Sequence, residues 1–107
     1  MIAVREGEVF WLVAPQASVA HPHVVVEARV DEVVACALTS NLHRAKELGN
    51  VLLEPGEGEL PKQSVVVVSQ TVSVSTSALG ERIGTLGASR LAEIREGQRF
   101  QRSLLDR

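Results

Sequence analysis

The chain has 107 residues, a formal net charge of −2, and 45% hydrophobic but only 3% aromatic residues. That length suits one small domain over residues 1–107 and excludes two independent cores, and the near balance of charge excludes an overall cationic field, so a nucleic acid would need a local basic groove. Cys36 is the only cysteine; it excludes an intrachain disulfide, suits a reducing compartment, and reads as a small buried hydrophobe.

The opening MIAVREGEVFW lacks a basic stretch followed by an apolar core, and no run reaches the roughly 20 apolar residues of a bilayer span. A cytoplasmic protein without a membrane contact is expected. EVFWLVA (8–14) follows Gly7 and stops at Pro15, as a strand does. Pro22 stands between His21 and His23, and HVVVEARV (23–30) then predicts a second strand, ending near Asp31 and Glu32. VVACALT (33–39) predicts a third strand, NLHRAKEL (41–48) a short helical turn, and NVLLE (50–54) a fourth strand. PGEGELP (55–61) reads as an exposed loop. SVVVVSQTVSVST (64–76) begins as a continuous apolar run and becomes an alternation at Val72, Val74 and Thr76, predicting a buried strand that bends into an edge.

The one helix is predicted over Ala88–Leu105, with Ser89 as N-cap and Leu91, Ile94, Gln101 and Leu105 near one face. Arg95, Arg99 and Arg102 fall on another, a solvated stripe. Five or six short strands and one terminal helix predict a mainly β fold, a small curled sheet or SH3-like barrel carrying a C-terminal α-helix.

The chain has no glycine-rich phosphate loop at a strand–helix junction, no paired-cysteine zinc pattern and no Gly-x-Ser-x-Gly elbow. His21 and His23 share one side of an extended chain, which suits a metal pair, but no third ligand stands at a recognisable spacing, and no metal is expected. A histidine facing a hydroxyl such as that of Thr39 would instead suit acid–base work on a phosphodiester.

GEVFWLV, a proline followed by a valine run, ALTSNL (37–42), GNVLL (49–53), LPKQSVVVVSQ (60–70) and ERIGTL (81–86) occur in an order and spacing that resemble the MazF/PemK family of toxin–antitoxin ribonucleases, over residues 7–104. The resemblance implies a dimeric SH3-like barrel with a C-terminal helix and metal-independent, cofactor-free cleavage of single-stranded RNA, the ribose 2′-hydroxyl attacking the adjacent phosphate. In the family an arginine just before the proline and a threonine at the end of the next strand carry this chemistry. Thr39 matches the threonine. His21 stands in place of the arginine, and the preceding loop, usually rich in Gly, Glu and Arg, is PQASVA here. Arginine's permanent, bidentate charge is thereby exchanged for a group that can move a proton near neutrality. His21 and Thr39 are the expected catalytic pair, and His23, Ser40, Asn41, His43, Arg44, Lys62 and Gln70 the expected lining of a groove for RNA or for the peptide of a cognate antitoxin. A homodimer is expected, since a small domain gains from burying a valine-rich face symmetrically.

Three functions are compatible with the residues. One, the preferred reading, is an endoribonuclease toxin. Another is a relative that binds antitoxin or nucleic acid without cleaving, favoured by the missing arginine. The third is an inhibitor of gyrase of the CcdB kind, disfavoured by the LTSNL and ERIG blocks.

Overall fold

The computed structural model describes residues 3–105; residues 1, 2, 106 and 107 of the expected domain lie outside them. Six strands, β1 (Glu8–Leu12), β2 (His21–Ala28), β3 (Glu32–Thr39), β4 (Val51–Leu52), β5 (Val65–Ser75) and β6 (Arg82–Thr85), precede a helix α1 (Ala88–Leu105). The strands form one antiparallel sheet in the order β4-β5-β3-β2-β1-β6. Register shifts at Val9/Phe10, Val25/Glu27 and Cys36/Ala37 interrupt the ladders. Such bulges add local twist, and the sheet curls into a half-barrel closed by the helix, as expected for the SH3-like class.

The valine runs are continuous because both sides of the strands are covered. Val9, Val24, Val26, Cys36, Leu38, Val66 and Val68 form the inner side with Leu53, Leu60 and Leu86, and α1 adds Leu91 and Ile94. The opposite side carries Leu12, His23, Val25, Val33, Ala35, Val65 and Val67, none more than 2% exposed. The helix docks through Gly97: a Cβ there would strike the carbonyl oxygen of Gly49. Gly84 of β6 admits the Gly58 carbonyl in the same way, which draws the 54–64 loop over the end of the half-barrel.

Strand β2 begins at His21, not after Pro22, because Leu12 pairs with His21 and Trp11 with Pro22; a proline is tolerated this close to a strand's start. Strand β1 ends at Leu12, with Val13 already 52% exposed. The NLHRAKEL turn is a 3-10 helix over Leu42–Lys46 capped by Asn41. Strand β6, only four residues long, lies in ERIGTL and escaped the sequence reading. The helix has the predicted bounds, but Ser89 is inside it and the first turn closes from the Leu91 N–H to the Gly87 carbonyl. Leu105 is 72% exposed and does not join the core. Of the arginine stripe, Arg99 and Arg102 are exposed, whereas Arg95 bonds Glu6 and the Val26 carbonyl at 2.7 and 2.8 Å.

Candidate functional site

Trp11, Pro22 and Leu38 point the same way from β1, β2 and β3, since Trp11 pairs with Pro22 and the His23↔Ala37 register, carried outward, sets Pro22 beside Leu38 and His21 beside Thr39. Leu60 and Pro61 from the 54–64 loop complete a cavity of about 270 Å³. His21, Thr39, Ser40, Lys62 and Ser64 complete its lining, and no carboxylate takes part. Lys62 makes no ion pair among the described residues. The cavity therefore combines an aromatic and apolar wall with a cationic, hydroxyl-bearing rim, a combination suited to a nucleobase and its phosphate.

The Thr39 hydroxyl is oriented. Its oxygen accepts the Asn41 N–H at 3.1 Å, which leaves the O–H proton available to an incoming oxygen. Asn41 in turn accepts the His43 N–H at 3.2 Å through Oδ1, starting the 3-10 turn. On the loop side, the Ser64 hydroxyl donates to the Lys62 carbonyl and Gln63 donates to the Leu53 carbonyl, both at 2.9 Å. Arg90 of α1 holds Glu57 through two bonds of 2.8 and 3.1 Å, so the wall that carries Leu60, Pro61 and Lys62 is braced against the helix.

The structure thus gathers His21, Thr39, Ser40 and Lys62 in one cavity, with Asn41 behind Thr39. It does not bring the rest there. His23 is buried in the sheet, its Nδ1 2.9 Å from the His21 carbonyl oxygen, and burial pushes its pKa below the ordinary value. His43 is exposed on the 3-10 turn. The Arg44 guanidinium is committed to Glu47 through two bonds of 2.9 Å. Gln70 is exposed where β5 bulges, and lines no part of the cavity. Trp11, Pro22, Leu38, Leu60, Pro61 and Ser64 were missed as lining residues; the single tryptophan of the chain was the one available signal. Among the described residues no group of three or more His, Cys, Asp or Glu is placed to hold a metal ion.

A larger cleft of about 510 Å³ lies between α1 and the sheet. Its polar groups are largely engaged: Arg95 as above, and Gln98 with Cys36 Sγ at 3.2 Å and Thr71 Oγ1 at 3.3 Å. Burial raises the pKa of the Cys36 thiol, as expected of a packing residue.

A curled antiparallel sheet with a terminal helix and a hydroxyl-lined cavity bearing Lys62 at the strand ends defines a small SH3-like β-barrel protein. The chain belongs to the PemK-like, MazF-like toxins of type II toxin–antitoxin systems, whose family pattern matches residues 5–100. It is 30% identical to Endoribonuclease MazF6 of Mycobacterium tuberculosis over 109 residues, covering 92% of this chain and 96% of that one. MazF of Deinococcus radiodurans superposes with a TM-score of 0.74 at 26% identity over the full length of both chains. A mycobacterial endoribonuclease solved with its cognate antitoxin superposes with a TM-score of 0.74 at 20% identity, over 90% and 91% of the two chains.

Proposed function

We propose that the protein is the toxin of a toxin–antitoxin pair and cleaves single-stranded RNA in the cytoplasm by attack of a ribose 2′-hydroxyl on the adjacent phosphorus. The observation that carries this reading is the convergence of His21, Thr39, Ser40 and Lys62 on one cavity without a carboxylate. A base stacks against Trp11, and the phosphate meets the rim. Neutral His21 accepts the 2′-hydroxyl proton, the 2′-oxygen bonds phosphorus, the bond to the 5′-oxygen breaks, and water protonates the leaving oxygen. The Thr39 O–H and the Lys62 ammonium stabilise the charge that builds on the non-bridging oxygens. The protein works as a homodimer, and an antitoxin peptide silences it by filling the same groove.

A second reading has its own observation. The family's arginine is replaced by His21, so the fold could bind antitoxin or RNA without cutting. Mapping the ends produced from a single-stranded RNA pool by wild type, His21→Ala, His21→Arg and Thr39→Ala decides between them. The ribonuclease reading expects cyclic phosphate and 5′-hydroxyl ends from wild type, most activity lost in His21→Ala, and about a hundredfold loss in Thr39→Ala, the usual cost of one bond to a developing oxyanion. Cleavage by His21→Arg but none by wild type would overturn it and leave the binding-only relative.

A further inference from the structure

His21, the first residue of β2, lines the cavity beside the exposed segment 15–19. The next residue, Pro22, has no N–H to give to the ladder. The link between His21 and the buried body of the strand therefore lacks one ladder donor. His23 lies just beyond that link, opposite Phe10 of β1 and Ala37 of β3 and 2% exposed. Its Nδ1 stands 2.9 Å from the His21 carbonyl oxygen. A carbonyl oxygen only accepts, so Nδ1 carries the hydrogen and, in the neutral ring, Nε2 carries the lone pair. Desolvation favours that neutral ring. The imidazole is thus held in one tautomer and bridges back over the proline.

We infer that His23 is a positioning residue for His21: its Nδ1–H grips the His21 carbonyl across Pro22 and fixes the peptide that sets His21 in the lining of the cavity. The inference rests on reading that cavity as the cleavage site. His23 itself lines no part of it and takes no part in the proton transfer. An aliphatic residue would fill the same space in the sheet but leave the His21 peptide to its pairing with Leu12 alone. Positional errors of an ångström at a reacting group are costly, so the effect belongs in turnover, not in substrate binding.

The test uses three variants and two readouts. His23→Asn places an amide donor near the position of Nδ1, His23→Gln carries it outward toward that of Nε2, and His23→Leu removes it. With RNA as substrate, kcat should stay within about threefold of wild type in His23→Asn and fall by about tenfold or more in the other two, with KM changed by less than about twofold. By NMR of the nitrogen-labelled protein, the His21 ring signals should be unmoved in His23→Asn and displaced in His23→Gln and His23→Leu. This second readout needs no cleavage: if wild type proves inactive the ribonuclease reading falls, while displaced His21 signals still uphold the positioning role. A folded His23→Gln with unchanged kcat and unmoved His21 signals would overturn it. So would a wild-type His23 protonated on Nε2, which the ring nitrogen shifts reveal even if every variant fails to fold.

Discussion

Gly97→Ala tests how the helix is held. In an ordinary helix interior the change stabilises by about 1 kcal/mol, because alanine loses less backbone entropy than glycine. Here the new Cβ would meet the Gly49 carbonyl oxygen, a backbone atom that cannot rotate away, and Val68 Cγ1 at 3.3 Å. The helix must retreat by roughly 1 Å before methyl and oxygen reach contact, and a gap of that size forfeits a quarter to a half of the dispersion well along the packed face. Leu91 and Ile94 are the buried helix side chains, each contributing about 2–3 kcal/mol when fully buried, so the loss is about 1–3 kcal/mol. Overpacking strain adds about 1–3 kcal/mol. After subtracting the propensity gain, a net destabilisation of about 1–5 kcal/mol is expected. Urea denaturation followed by fluorescence of Trp11, the only tryptophan, measures it at fixed protein concentration. Gly87→Ala, where an added Cβ would meet nothing within 4 Å, serves as control and should change stability by less than about 1 kcal/mol. A Gly97→Ala protein as stable as wild type, or more so, would refute the close docking of α1 on Gly49.

Lys62→Ala should weaken RNA binding and lower the slope of log affinity against log salt by about 0.7, the contribution of one phosphate contact on a single strand; an unchanged slope in a salt titration would remove Lys62 from the phosphate site. Glu57→Gln should cost about 0.5–1 kcal/mol at neutral pH, as befits a partly exposed pair. The Arg90 guanidinium holds the Glu57 carboxyl below its ordinary value of 4.5, so the unfolded state binds more protons there: the stabilisation is present above 4.5, is lost as pH falls through the folded-state value, and should be missing from the acid limb of the variant's denaturation curve. For His23 the folded-state pKa lies below the ordinary 6.5 because burial disfavours the charged ring. The unfolded state again binds more protons in the window between the two values. Stability should therefore be full above 6.5 and decline as pH falls through that window, and His23→Asn should flatten this part of the pH–stability profile.

Elements whose signal is local were legible along the chain. Valine-rich runs between turn residues marked β1, β2, β3 and β5, and 3.6-residue periodicity marked α1 to its observed bounds. Thr39 was singled out through the likeness of ALTSNL, which together with ERIGTL and LPKQSVVVVSQ carried the family. Strand β6 was lost because four residues hold too little periodicity to read, and Ser89 was misplaced because its neighbour Gly87 lends a backbone carbonyl instead of a side-chain cap.

Tertiary structure took His23 out of the expected groove. The resemblance placed His21 in the arginine's position and His23 in the lining; the curl of the sheet and the end of β1 leave His21 at an open rim and seal His23 inside. The bulge opposite Cys36/Ala37 turned Gln70 outward, a shift set by pairing with β3 and invisible in the alternation of β5 itself. Arg44 was spent on Glu47, three residues away, once the 3-10 turn brought them together. The cavity wall joins Trp11 to Pro61 across fifty residues of chain, and it exists because Gly58 can pack against Gly84 and Arg90 can hold Glu57. Periodicity reports which side of its own element a residue occupies, whereas a site is made where elements distant in the chain meet, and that depends on register, bulges and close backbone approach.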